Sequence, residues 1–441
     1  MLVFIFSLLL IPLFAPKVTF AANSYYVSLS GSDTNSGTEA LPFKTFSRAF
    51  KSLKSGDTLN IFAGTYTERL DVKSSGASGM PITIQPVAGQ KVVLDGGGTK
   101  DSPLLIGSGI SYVTVKGLSV TRSPFECVLV RGSNVKLENL DVYECKKFGY
   151  RLAGSTISVS SSKCHDAVTE NRGGKNTSGG WGACMRTTPG SSNMTINNNE
   201  IYNNWGEGLI IGQAVNVKVY DNKVYDNFSQ NIYIGNTHDV EVYRNFTYST
   251  NPTYYRAGSP ANCISSSEET INNTWGAQLG NIKVYNNIAY GCKIGVGYTY
   301  KEVSGNGCNN CLFANNTLVN TGGIKIIDGP KNHVVISNNI VNGGKITFPS
   351  GNDIKSQNNL VGDPVFATKP NTNQDSFKLA FTSKAIDKGI AVSGVTDDFY
   401  KNSRDKMPDI GAVEYGSSMV KGWSGSSIKE KALNFFHKIV R

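Results

Sequence analysis

The residues best suited to chemistry on an anionic substrate gather between positions 149 and 234. Four short runs there share one alternation: GYRL (149–152), CMRT (184–187), GLII (208–211) and NIYI (231–234). Successive side chains of a strand point to opposite faces. Leu152, Met185, Leu209, Ile211, Ile232 and Ile234 therefore face inward, and Arg151, Arg186, Ile210 and Tyr233 face outward. If 165–181 loops out, Arg151 and Arg186 become neighbours on strands ~4.8 Å apart. Two guanidinium groups that close call for an anion, and a sugar carboxylate can be gripped bidentately. A solvated basic face is the plain alternative. Lys293 and Lys325 are read as extensions of the same column.

Acids and aromatics stand close by. Asp166 follows His165 at the mouth of one long turn, and Glu207 sits in Trp205-Gly206-Glu207-Gly208, just before the outward strand. Glu170 and Asp226 are further acids of the region. Turns at 165–183 and 249–278 are long enough to wall a groove. Trp181 and Trp205, in or near these turns, would stack on sugar faces through apolar C–H surface; packing within the loops is the other reading.

Three activities use such a set. Elimination on a uronate needs a base for the C5 proton and a cation, or calcium, to neutralise the carboxylate. Arg186, Arg151 or Lys293 would be base or neutraliser, with acids holding Ca2+. Glycoside hydrolysis needs two carboxyl groups across a cleft, here Asp166 and Glu207. A binding or scaffold protein needs only the aromatics and the basic face. The candidate catalytic residues are thus Arg186, Glu207 and Asp166. The substrate-binding candidates are Arg151, Tyr233, Trp181, Trp205 and Lys293. No metal-ligand set is assigned.

What must position them is a repeat. Asn193, Asn216 and Asp239 open three lines whose starts are 23 residues apart. Each line carries alternating apolar residues, an Asn six positions on (Asn199, Asn222, Asn245) and a Tyr three later (Tyr202, Tyr225, Tyr248). Asn287, Asn316, Asn339 and Asn359 continue the Asn column. YVTVKGLSV, NVKLENLDV and TISVSSSKC keep the apolar spacing upstream without it. A period of this length marks a solenoid. Three short runs per period predict an all-β, right-handed parallel β-helix. The Asn column reads as structural, because an amide can bond its own turn and the Asn above and below. That places Asn245 inside and argues against reading its Asn-x-Thr triplet as a glycosylation site.

The chain has 441 residues and a formal charge of +10. Met1 to Pro16 is apolar, and residues 1–22 read as a secretion signal or, failing cleavage, an anchor. The run is too short to favour a membrane span. The mature chain is expected to be secreted, periplasmic or at the cell surface, and monomeric. Its basic charge favours acidic partners. No nucleic-acid fold is recognisable, so the expected partner is an acidic polysaccharide. Eight Cys (127, 145, 164, 184, 263, 292, 308, 311) suit disulfides in an exported chain, with the pairing left open. Cys308 and Cys311 read as a turn staple or a bridge between rungs.

The two ends carry a resemblance. Tyr26-Val27-Ser28, Gly31-Ser32-Asp33, Asn35-Ser36-Gly37-Thr38, Pro42-Phe43-Lys44-Thr45, Gly56-Asp57-Thr58 and Ala63-Gly64-Thr65-Tyr66 are similar to the opening of secreted right-handed β-helix proteins near the family-nine polysaccharide lyases. The closing Ser383 to Gly389, Asp398-Phe399, Arg404, Asp409-Ile410-Gly411-Ala412 and Glu414-Tyr415 also resemble that group. The resemblance implies a pectin-lyase-like solenoid. Residues 23–100 form an N-terminal cap with a short helix and the first rungs, 101–366 the β-helix, and 367–415 a C-terminal cap. Phe43, Phe46, Ala49, Phe50 and Leu53 have the helical spacing that fits this cap. Family-nine lyases carry a calcium cluster with an Asp pair and a lysine base; no Asp pair occurs in the rungs here, so no catalytic residue is carried over. Residues 416–441 read as a linker and a basic amphipathic tail for surface or membrane contact.

The functional expectation is an exported β-helix protein that binds an acidic extracellular polysaccharide and cleaves it by β-elimination. A non-catalytic cell-surface glycan-binding or structural β-helix is the first alternative, and a glycoside hydrolase the second.

Overall fold

The computed structural model describes residues 22–269, 278–302, 307–327, 333–350 and 353–416. The signal reading and the amphipathic-tail reading fall on 1–21 and 417–441, outside these residues. Among the described residues, three parallel sheets of 13, 12 and 11 strands stack turn upon turn. Sheet one runs from Ser24–Val27 to Ile354–Gln357, sheet two from Gly64–Tyr66 to Leu360–Val361, and sheet three from Leu70–Val72 to Lys345–Thr347. One turn of the coil reads Ser192–Asn197 in sheet one, Glu200–Tyr202 in sheet two and Glu207–Gly212 in sheet three. Each strand pairs with its equivalent one turn later, for example Ile196 with Val219 and Leu209 with Ile232. This is a right-handed parallel β-helix, the hand that parallel crossovers favour.

The alternation in the sequence sets the inside and the outside. Met194, Ile196, Ile201, Leu209 and Ile211 of that turn are at most 1% exposed, and the next turn stacks Val217, Val219, Val224, Ile232 and Ile234 on them. The seven-member Asn column lies between sheets one and two. Each Nδ2 donates to the Oδ1 of the next Asn, at 3.0 Å from Asn199 to Asn222, 2.9 Å from Asn222 to Asn245 and 3.0 Å from Asn245 to Asn287. The same Oδ1 atoms accept the backbone N–H of the preceding ladder residue, as Asn245 Oδ1 does from Asn222 N at 3.1 Å. The column satisfies the turn's buried backbone groups. Upstream, Leu118 and Leu140 occupy the position and are buried. Ser162 begins the polar part, its Oγ accepting from Leu140 N and its N–H donating to Asn199 Oδ1.

The residue before each ladder Asn is left-handed. Asn198, Asp221, Arg244, Asn286, Asn315, Asn338 and Asn358 have φ between +51° and +57°. Short amides and carboxylates tolerate this region best, which accounts for the Asn-Asn doublets. From Asn286 onward these outward amides also hold the C-terminal cap. Asn286 Nδ2 donates to Asp397 O at 2.8 Å and Asn338 Nδ2 to Ile390 O at 2.7 Å. The buried Arg404 guanidinium locks the cap by donating to Asn286 Oδ1, Gly411 O and Glu414 Oε2.

At the other end the capping helix is Phe46–Phe50, with Thr45 Oγ1 accepting Arg48 N–H. It is shorter than the apolar spacing predicts because Asp57 takes the Lys54 N–H and turns the chain into the strand Thr58–Ile61. All five apolar residues named for it are buried. Disulfides Cys127–Cys145, Cys164–Cys184 and Cys263–Cys292 each tie sheet two, or the turn just after it, to a strand of sheet three. They brace the corner from which the long turns leave. Cys308–Cys311 closes a short turn.

Candidate functional site

The outer face of sheet three carries one register column. Leu129, Arg151, Arg186, Ile210, Tyr233, Ser265, Gly297 and Lys325 follow one another on successive strands. Arg151 and Arg186 are direct neighbours, with the segment after His165, 166–182, outside the ladder. Two expectations are corrected. Lys293 is not in the column: it is exposed in the turn ahead of Val296–Lys301. Nor is 249–278 one long turn, since Asn262–Glu268 within it forms a sheet-three strand. Its serines and threonine-poor, polar sequence hide the alternation that marks the other strands.

Around Arg186 the structure assembles a compact charged cluster. The half-buried guanidinium has its pKa lowered by burial; the carboxyl groups of Glu207 and Glu269 favour its charge, and Arg151 opposes it. Glu207 begins the strand Glu207–Gly212. Burial pushes its carboxyl up to about 7, the negative charge of Glu269 adds to this, and the Trp181 side chain and Arg186 act in the opposite sense. Glu269 is also raised, chiefly by burial, against a hydrogen bond from Tyr233 and the charge of Arg186. The Tyr233 hydroxyl meets both Ser267 Oγ and the Glu269 carboxylate, and its own pKa is driven up by burial. Asn236 holds the Glu269 backbone from both sides, accepting its N–H at 3.0 Å and donating to its carbonyl at 3.1 Å. Gly235 lets the Tyr233 ring lie along its own strand, since a Cβ there would stand 3.1 Å from Cε1.

Tyr233 points outward but is only 9% exposed, packed with Ala183 and Ile210. Arg151 is relieved of its neighbour's repulsion by Glu126, whose Oε2 lies 3.3 Å from Nη1 and whose Oε1 accepts from Ser102. Trp181 is not an exposed platform: it is 8% exposed, edge-on to Phe228 at 5.4 Å, with the Arg256 guanidinium 4.8 Å from its ring. Trp205 packs on Tyr254 at 4.7 Å.

Asp166 belongs to another cluster. It adopts φ +50° after the sheet-two strand Lys163–His165, and its carboxylate lies 2.7 Å from His165 Nδ1. Asp141 holds Nε2 at 3.1 Å. The two carboxylates raise the imidazole to about 9 against the effect of burial. The ring is stacked between Tyr143 and Tyr202 at 5.5 and 4.9 Å, and the stack continues through Tyr225 and Tyr248. The carboxyl that interacts with Glu207 is therefore Glu269 and not Asp166.

Glu269 and Glu126 were missed by sequence reasoning. The only available signal for Glu269 was its place at the end of a run equivalent to the outward strands. Among the described residues no three His, Cys, Asp or Glu side chains are grouped to hold a metal ion. Glu207 and Glu269 flank the cation Arg186, a donor set that does not fit Ca2+, which takes six to eight oxygens.

Comparison with known proteins agrees with the fold. Residues 25–241 match the family model described as Pel9A-like, right handed beta helix region. The uncharacterized protein YwoF of Bacillus subtilis (strain 168) is 31% identical over 149 residues, 33% of this chain and 27% of its own length, so the match spans about a quarter of that relative. XylC in complex with xylose superposes with a TM-score of 0.60 at 12% identity, over 89% of this chain and 98% of that one. Pectate lyase Pel9A does so with a TM-score of 0.55 at 17% identity, over 90% and 97%. These structural likenesses show a shared fold. Over residues 25–241, this chain is similar to the Pel9A-like right-handed β-helix region.

Proposed function

We propose that this chain is exported, binds an acidic polysaccharide across the outer face of sheet three, and cleaves it by β-elimination at Arg186, Glu207, Tyr233 and Glu269. The observation that carries the reading is the Arg186 guanidinium set among two desolvated carboxyl groups, Glu207 and Glu269, with burial pushing Glu207 up to about 7. Arg186 pairs with the uronate carboxylate and withdraws charge from C5. Glu269 takes the C5 proton, and the C–H electron pair becomes the C4=C5 bond. The C4–O bond breaks with its electrons on oxygen, and Glu207 supplies the proton that oxygen needs. An acid pushed up to about 7 and a base raised above the ordinary carboxylate value suit both transfers. Tyr233 holds Glu269 toward the groove. No step is routed through calcium. The Pel9A-like match over 25–241 and the fold shared with a pectate lyase support this class of substrate. The apolar first segment and four disulfides support export.

The Glu207–Glu269 pair also favours a second reading, glycoside hydrolysis, in which one carboxyl is the acid and the other the base or nucleophile. One assay separates them. Purified mature protein is mixed with a panel of polyuronates, with calcium and with chelator. Near-ultraviolet absorbance and new reducing ends are followed together. Elimination raises both on one polymer, and Arg186→Ala and Glu207→Gln lower the rate by about 100-fold or more. Reducing ends without absorbance mean hydrolysis. Neither signal on any polymer overturns cleavage and leaves glycan binding.

A further inference from the structure

We infer that Phe125, Lys147 and Arg151 form a subsite for a carboxylated sugar residue on the N-terminal side of the Arg186 cluster. The inference rests on the outer face of sheet three being the polysaccharide groove, and names three residues that hold the chain rather than cut it.

Phe125 stands at the corner just before the sheet-three strand Glu126–Val130 and is 36% exposed, whereas its neighbours Leu129 and Phe148 are at most 5% exposed. Its backbone carbonyl accepts the N–H groups of Lys147 and Phe148 at 2.9 and 3.0 Å, so the next rung is fixed against it. The Phe148 ring supports it edge-on, at 5.6 Å and 78°. Lys147 Nζ lies 5.9 Å and Arg151 Cζ 5.8 Å from the Phe125 ring centre. Arg186 Cζ repeats the arrangement one rung on, 5.7 Å from Phe148. Of the carboxylates at this end among the described residues, Glu126 is buried against Ser102 and Arg151, and Asp71, in the same register column beyond Leu129 and Leu105, is paired with Lys73. Beside the Phe125 ring, Lys147 and Arg151 thus face the single carboxylate Glu126.

An apolar ring beside fixed cations matches a sugar with an apolar C–H face and a carboxylate at its edge. A neutral sugar would use the ring and leave the cations solvated. From Phe125's rung to Arg186's is two rungs, about 10 Å, so a chain crossing the strands reaches both.

The test measures binding by calorimetry in the Glu207→Gln protein. The probes are hexagalacturonate, hexamannuronate and hexaguluronate, with xylohexaose as the neutral control. At least one hexauronate should bind more tightly than xylohexaose. Phe125→Ala and Lys147→Met should each weaken it about tenfold, and Phe125→Trp should retain it. Phe125 and Lys147 touch solvent, so these variants keep the fold, which far-ultraviolet circular dichroism checks. If both weakening variants bind the hexauronates as tightly as their parent, or if none of the three hexauronates binds, the subsite is overturned. If the binding losses appear but the wild-type protein cleaves nothing, the subsite stands and the cleavage reading alone falls.

Discussion

Replacing Glu207 by Gln should stabilise the protein in alkali and leave it unchanged in acid. The carboxyl sits near 7 in the folded protein, against an ordinary value of 4.5, mainly because burial disfavours its charged form. The folded state therefore holds this proton more tightly than the unfolded chain does. Below pH 4.5 both states are protonated, and an isosteric amide changes little. Between 4.5 and about 7 the unfolded chain releases its proton first, and wild-type stability falls; above 7 the deficit is constant. At full strength the displacement corresponds to about 3 kcal/mol. Glu207 is half-buried, so about 1–2 kcal/mol is the expected gain for the variant once screening by water is allowed for. The assay is urea unfolding of both proteins, disulfides intact, at about pH 4 and pH 9. The difference in stability should be near zero at the lower pH and appear in full at the higher. An equal difference at both values would refute the reasoning, because Glu207 would then titrate as an ordinary surface acid and could not serve as a proton donor near neutrality.

Other outcomes follow from the same geometry. Asn245→Ala removes five hydrogen bonds of a fully buried ladder member, orphaning Asn222 N–H and Val219 O among others; unfolding should show a loss of about 3–5 kcal/mol, and the half-buried Asn359→Ala should lose less. His165, held between Asp141 and Asp166, should remain charged at neutral pH in an NMR titration. Its folded pKa is raised, so the stability it contributes is complete below about 6.5 and lost as pH rises through about 9; a titration midpoint below 7 would contradict the stacked, doubly paired ring. Opening Cys263–Cys292 by paired Ser substitution releases a loop with a sequence separation of 29 and should lower stability by about 3–4 kcal/mol, with enhanced proteolysis at 249–261 as the local readout.

Much of the coil was readable because its rules are local. Alternation of apolar residues sorts inside from outside one strand at a time, so Leu209, Ile211, Arg186 and Tyr233 could be assigned to faces without knowing any contact. The Asn column was readable for the same reason: a period of 23 stacks like on like, and Asn199, Asn222 and Asn245 meet wherever the rungs stack. The left-handed residue before each ladder Asn, and the use of Asn286 and Asn338 to seat the cap, were visible as doublets but not as roles.

The sequence by itself thus determined the solenoid, its inward faces and the adjacency of Arg151 and Arg186. Tertiary structure decided which acids stand beside them. Glu269 lies 83 residues after Arg186 in the chain, at the end of a strand whose serines mask its alternation, and it reaches the cluster only because two rungs intervene. Asp166, much nearer in sequence, is turned by its left-handed backbone onto His165 and the tyrosine stack. Burial, too, belongs to the assembled molecule. Trp181 and Tyr233 carry outward-facing or loop positions in the sequence, yet packing from neighbouring rungs covers them. A periodic pattern specifies neighbours one rung apart, whereas the corner turns that break the period set the side chains on which the pKa of Glu207 depends.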